Sequence, residues 1–308
     1  VHAILGAGGA VGAELVTLLV AAGRPVRLVG RNPRPLAGAQ IFAADLADRA
    51  RCIEAVAGAK VAYLLAGLKY DTTVWRELWP RIMANAIEAC KRAGARLMFF
   101  DNVYMYGRVA GPMTEATPFN PCSAKGEVRA QIASTLLDEI RAGGLSAMLA
   151  RSADFYGPGA QRTGIANILV FERLAKGQAA FWMMNDAAPH SLTYTPDAAR
   201  ALALLAGTES AWNQTWHLPA APNPPDGRAL VALAAKALGV APRHKVLGRA
   251  MAMVGGWFNA DVRESREMLY QYELEYLFDS GKFTGAFGVQ PTPYAEGVGL
   301  TAQAYRRR

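Results

Sequence analysis

Apolar positions fall into two alternating registers over the first half of the chain. Short runs rich in β-branched, aromatic and other buried-type residues predict strands: HAILGAG (2–8), PVRLVG (25–30), KVAYLLA (60–66), RLMFFDNVYMYG (96–107) and LSAMLARSADFYG (145–157). Between them, apolar residues at spacings of three and four predict helices over 12–22, 51–58, 74–93 and 126–142. Near-continuous apolar strands are covered on both faces, and the intervening helices are the crossovers that parallel strands require. The expected class is therefore α/β, a doubly wound parallel sheet. After Gly157 the pattern loosens into a loop, a helix over 165–176 and an extended piece running into a helix within HSLTYTPDAARALALLAG (190–207). A strand and Pro-rich loop follow at 215–225, then helices over 228–238 and about 261–278. No linker separates the halves. We expect residues 1–157 to form the main domain and 158–308 a smaller, interleaved C-terminal substrate lobe, with about 189–205 returning to the first.

Composition changes this picture little. With 52% hydrophobic and 19% charged residues, the chain is too apolar for disorder. The formal charge of +8 suits an anionic ligand such as a nucleotide phosphate. Part of it is the terminal Arg306–Arg308 run, which reads as a solvated tail, and no basic run with interleaved aromatics marks a nucleic-acid surface. The three cysteines, Cys52, Cys90 and Cys122, lack CxxC spacing, and the four histidines lack metal spacing. No disulfide framework and no metal are expected. No apolar run reaches membrane length, so the expected setting is cytoplasmic with no membrane partner.

The chemistry begins in ILGAGGAVGAEL (4–15), where Gly6, Gly9 and Gly12, with Gly8 in addition, lie between a strand and a helix. Glycine there lets a diphosphate approach the backbone, and the helix N-terminus at Ala10–Val11 offers free N–H groups and a partial positive charge. At the end of the second strand, an NAD site wants a carboxylate for the ribose 2′-OH. LVGRNPR instead offers Arg31, Asn32 and Arg34, and a guanidinium suits a 2′-phosphate. The expected cofactor is NADP, with NAD as the alternative.

With this turn in place, the order of motifs resembles the extended short-chain dehydrogenase/reductases of the NAD-dependent epimerase/dehydratase family, and does so over nearly the whole length. ADLAD (44–48) resembles the segment beside the adenine, pointing to Asp45 and Leu46, and LLAG (64–67) the loop under the riboses, pointing to Leu65, Ala66 and Gly67. Asn85 sits in the long helix where the family carries an asparagine. VYMYG with MTEATPFNP, ARSADFYGPG (150–159), SLTYTPDAARA and GVQPTPYAEGV each resemble a family segment in the family's order. The second of these has Asp154 where asparagine is usual, and puts Tyr156 at the nicotinamide end. The resemblance implies a Rossmann-like fold, a small-molecule substrate and a homodimer.

Departures fall where the chemistry belongs. Aligning the family's Ser-Tyr-Lys triad puts Asn102 at the serine, Pro121 at the tyrosine and Lys125 at the lysine. Proline has no donor. On a regular strand Tyr104 shares a face with Asn102. We therefore expect Tyr104 as proton donor or acceptor, with Lys125 favouring its phenolate and Asn102 polarising the substrate. The alternative is a packed aromatic beside a lysine that only binds ribose. Cys122 reads as a bystander, and Tyr106 as conformational. Trp182, Met183, Met184, His190, Tyr194 and the aromatic, charged segment ESREMLYQYELEYLFD (264–279) are candidates for substrate choice, and Arg162, Arg173, Arg243 and Arg249 for a second phosphate. Three functions stay open: an NADP(H)-dependent oxidoreductase or epimerase-like enzyme with a non-standard site, a non-catalytic NADP(H) sensor, and an RNA-binding relative.

Overall fold

The computed structural model describes residues 1–6 and 8–306, without the side chain of Asp261. Ala7 of the glycine turn and Arg307 and Arg308 of the basic tail lie outside it. The elements in chain order are β1 (His2–Leu5), α1 (Ala10–Ala21), β2 (Val26–Gly30), β3 (Ala39–Ala43), α2 (Arg49–Val56), β4 (Val61–Leu64), α3 (Thr72–Ala93), β5 (Arg96–Asp101), α4 (Ala124–Arg141), β6 (Ala147–Arg151) and β7 (Asp154–Tyr156). Then come α5 (Glu172–Ala175), β8 (Ala180–Met183), β9 (Leu192–Tyr194), α6 (Thr195–Gly207), β10 (Thr215–His217), α7 (Gly227–Leu238), β11 (His244–Leu247), α8 (Arg249–Phe258), α9 (Ala260–Ser265), α10 (Gly281–Phe287) and α11 (Tyr294–Arg306).

Seven strands form one parallel sheet in the order β10-β6-β5-β4-β1-β2-β3. The chain reverses direction of winding between β1 and β4, which opens a crevice at the strand C-termini there. One face is covered by α2, α3 and α4 through Trp79, Ile82, Met83, Ile132 and Leu136. On the other, α1 and α6 pack through Leu15, Leu19, Leu202 and Leu205. The remaining lobe builds its own core from Val170, Phe171, Leu230, Tyr272 and Val298.

Local signals explain the helix starts that matter for the site. Asp71 caps α3 by accepting from Thr73 N and Val74 N, and Ser123 caps α4 by accepting from Gly126 N at 3.0 Å. A Cβ on Gly126 would sit 2.7 Å from the Tyr104 carbonyl oxygen. Glycine therefore lets the first turn of α4, which carries Lys125, close onto the chain leaving β5.

Three expectations need correction. The strand over 96–107 stops at Asp101, and 104–106 forms a single 3₁₀ turn, so period-two alternation does not carry Asn102 and Tyr104 to one face. The strand over 145–157 splits: β6 stays in the large sheet, while β7 leaves it to pair with β9. The helix about 261–278 is α9, then 3₁₀ turns over 266–272, then extended chain bridging at Tyr276 and Phe278. The edge strand β3, which the sequence pattern did not single out, has no fully buried residue.

Candidate active site

The glycine-rich turn is built to admit an anion. Gly6 has φ +99°, and a Cβ there would meet the Ala66 Cα at 2.3 Å, so glycine brings the β1 turn against the Leu65–Gly67 loop. Gly8, Gly9 and Gly67 face open space. Gly9 is the N-cap of α1, no side chain caps the helix, and its first turn, which includes Val11 and Gly12, carries no acid. These amides and the helix dipole fit a diphosphate. Beyond β2, Arg31, Asn32 and Arg34 lie at the surface, and among the described residues neither arginine makes an ion pair. Asn85, buried in α3, donates to the Leu46 carbonyl at 2.9 Å, and Asp45 accepts from Ala47 N, so both hold the loop beside the crevice. Tyr156 is placed otherwise. It is 1% exposed, packed against Tyr194 and Tyr294 in the second lobe.

At the other end of the crevice stand the residues aligned with the family triad. Asn102 turns inward on its own loop, its Oδ1 accepting from Tyr104 N at 3.1 Å, which leaves its NH₂ without a partner among the described residues. Tyr104 is half-buried, its ring nearly parallel to Trp75. Burial, with the nearby Asp154 charge, pushes the Tyr104 hydroxyl up to about 12, so at neutral pH it carries its proton. The phenolate expected from Lys125 is therefore not favoured.

Lys125 explains why. Its side chain is fully buried, and Nζ donates to Thr72 Oγ1 at 2.8 Å, the Glu264 carbonyl at 3.0 Å, Glu264 Oε2 at 2.8 Å and Glu267 Oε1 at 2.8 Å. It also lies 4.6 Å from the centre of the Tyr70 ring. Glu264 takes the N–H and hydroxyl of Thr72 at the start of α3, both at 2.9 Å, and Glu267 takes Ala124 N at 2.7 Å at the start of α4. Each carboxylate thus meets a helix N-terminus as well as the ammonium. The Lys125 hydrogen bond, supported by Thr72, holds the Glu264 carboxyl down at about 2. The diphosphate half of a dinucleotide fits this chain. Lys125, aligned with the lysine that holds the ribose in the family, is by contrast already fully engaged.

A second cluster stands beside it. Asp154 Oδ2 accepts from Tyr272 OH at 2.6 Å and meets His190 Nε2 at 3.1 Å, and the His190 ring is sandwiched between Tyr272 and Tyr276, each 4.4 Å away. Behind β5, Asp101 is buried between Arg129 and Arg151, and Tyr106 OH bridges Arg151 and His217. Arg129, Arg151 and His217 stand outside the expected site, and Glu264, Glu267 and Tyr272 belong to it only as members of the charged, aromatic segment 264–279. Glu264 and Glu267 are flanked by Arg263 and Arg266 at spacings that read as a solvated helix face.

Among the other candidates, Arg249 and Cys122 line a cavity of about 280 Å³ with Arg108, Met253, Glu267 and Tyr270. Arg173 and Arg243 instead bind backbone carbonyls within the second lobe, and Arg162 is exposed. Trp182 is buried against His190 and Tyr272. Among the described residues no cluster of three metal-ligating groups occurs and no helix is long and apolar enough to cross a membrane.

Comparison with solved structures places the whole architecture. The UDP-glucose 4-epimerase of Thermus thermophilus, in complex with NAD, superposes with a TM-score of 0.81 at 20% identity, covering 99% of each chain. The Streptomyces venezuelae dTDP-glucose 4,6-dehydratase DesIV, with NAD and TYD bound, gives 0.82 at 18% identity over 100% of this chain and 97% of its own. MoeE5 in complex with UDP-glucuronic acid and NAD gives 0.81 at 21% identity over 99% of each chain. No curated protein matches the chain by sequence. The model of the NAD dependent epimerase/dehydratase family matches residues 3–216, from the first strand through Lys125 to the last strand of the sheet. The glycine cradle, the crevice at the strand ends and this match agree: the chain belongs to the NAD-dependent epimerase/dehydratase family.

Proposed function

We propose that the chain is an NADP(H)-dependent oxidoreductase or epimerase-like enzyme acting on a small-molecule carbonyl or alcohol, with an active site rebuilt around Tyr104. The observation that carries the cofactor preference is the Arg31–Arg34 pair at the surface beyond β2, without a carboxylate partner among the described residues, beside a glycine-lined helix N-terminus that no side chain caps. Guanidinium groups open to solvent there favour a 2′-phosphate by charge-assisted hydrogen bonds.

When bound, the nicotinamide supplies or accepts hydride. The chain supplies the proton. Tyr104, protonated at neutral pH, acts as general acid toward a substrate oxygen, and the free NH₂ of Asn102, two residues away, orients that oxygen. Asp154 holds His190 and Tyr272 together in the second lobe. A sensor that binds NADP(H) without turnover is the competing reading, favoured by Pro121 and by the engagement of Lys125.

Two measurements separate these. Arg31→Ala should weaken NADP⁺ binding by about tenfold, the loss of roughly one charge-assisted contact, and leave NAD⁺ binding unchanged. A panel of carbonyl substrates should then reveal NADPH oxidation that disappears in Tyr104→Phe. Binding without turnover across the panel would favour the sensor.

A further inference from the structure

Residues 249–272 leave the lobe after β11, run outward as α8 and come back through α9 to the 3₁₀ turns. The outer limb buries little. Met251, Met253, Val254, Trp257 and Phe258 are all exposed, the last at 86%. Little apolar burial therefore fastens α8 to the body. At the inner limb, in contrast, two carboxylates engage Lys125, Thr72 and Ala124. A lysine ammonium has three N–H donors. Here four acceptors lie within 3.0 Å of Nζ, so none is left for a ribose diol. The displaced partners are charged, the incoming hydroxyls neutral, and charged acceptors bind an ammonium more strongly.

We propose that residues 249–267 form an autoinhibitory strap: Glu264 and Glu267 occupy Lys125, and the nicotinamide end of a dinucleotide settles only when they let go. The adenosine and diphosphate end needs no such release, because Gly8, Gly9 and Arg31 are already open. Binding thus becomes a two-part event whose second half opposes the strap, and by linkage whatever lifts the strap tightens NADP(H). The exposed α8 is the part of the strap on which a pull would act.

The inference rests on the NADP(H) reading above, and the test separates the two. The full chain and the Glu264→Gln/Glu267→Gln variant are titrated with NADP⁺ and with 2′-phosphoadenosine 5′-diphosphate, which lacks everything beyond the diphosphate. The shorter ligand should bind both proteins alike, while NADP⁺ should bind the variant about tenfold more tightly, within the usual range of coupling between sites. In the wild-type chain, saturating NADP⁺ should speed tryptic cleavage at Arg263 and Arg266, which are exposed on the strap. That second readout also decides the matter if the variant does not fold. Equal NADP⁺ affinities, or cleavage unchanged by NADP⁺, overturn the strap. Failure of the shorter ligand to bind either protein overturns the cofactor reading itself.

Discussion

Replacing Lys125 with methionine removes the ammonium while keeping an apolar stem of similar length. Nζ sits 2.8 Å from one oxygen of each of Glu264 and Glu267, with its own side chain fully buried. Breaking one partner out of a buried ion pair costs about 3–5 kcal/mol. Both glutamates keep about a quarter of their side-chain surface in solvent, 23% and 25%, which lets water screen part of the loss. The lower end, about 3 kcal/mol, is therefore expected. For a chain of 308 residues, at about 2 °C per kcal/mol, Tm should drop by about 6 °C in a calorimetric scan without ligand. The two carboxylates, left three residues apart on one short segment, then repel each other. Adding Glu267→Gln to Lys125→Met should recover part of the loss, and a double-mutant cycle should give a coupling of about 1 kcal/mol or more. A lysine waiting in solvent for a ribose would behave otherwise. Its replacement would stay within about 0.5 kcal/mol, and a Tm shift under about 1 °C would refute the ion-pair reasoning.

Further outcomes can be checked in parallel. Gly8→Val should leave Tm nearly unchanged, because nothing lies within 4 Å of the added Cβ, yet weaken NADP⁺ binding at least tenfold in a fluorescence titration. Gly6→Ala should instead destabilise the fold, since its Cβ would strike the Ala66 backbone at a positive φ. Burial holds the His217 imidazole down at about 3, against 6.5 for an ordinary histidine. The unfolded chain thus takes up the proton first, so stability is fully present above about pH 6.5 and declines as pH falls toward about 3. In His217→Gln the Tm–pH curve should be flatter across that window, and an unchanged slope would contradict the assignment.

Much of this architecture was legible in the chain itself. Continuous apolar runs separated by helical stretches point to the parallel sheet, and the glycine spacing marks the tight turn at its first strand–helix junction. The edge strand β3 escaped because its residues are half-exposed and its apolar stretch, Ile41–Ala43, is only three residues long. The site was harder to read for a different reason. Asn102 and Tyr104 were assigned to one face by strand periodicity, but the strand ends at Asp101 and a 3₁₀ turn follows. Glu264 and Glu267 lie about 140 positions from Lys125, and their local surroundings resemble an ordinary charged helix face. Likewise, His190, Asp154 and Tyr272 come from three separate segments that only the folded lobe brings together. Tertiary pairings of this kind leave no periodic signal in a single sequence.

The most direct test of the account is isothermal titration of the full 308-residue chain with NADP⁺ and NAD⁺. Binding of NADP⁺ at one site per chain, tighter than NAD⁺ and losing its advantage in Arg31→Ala, is the predicted result. Absence of binding heat from both nucleotides would contradict it.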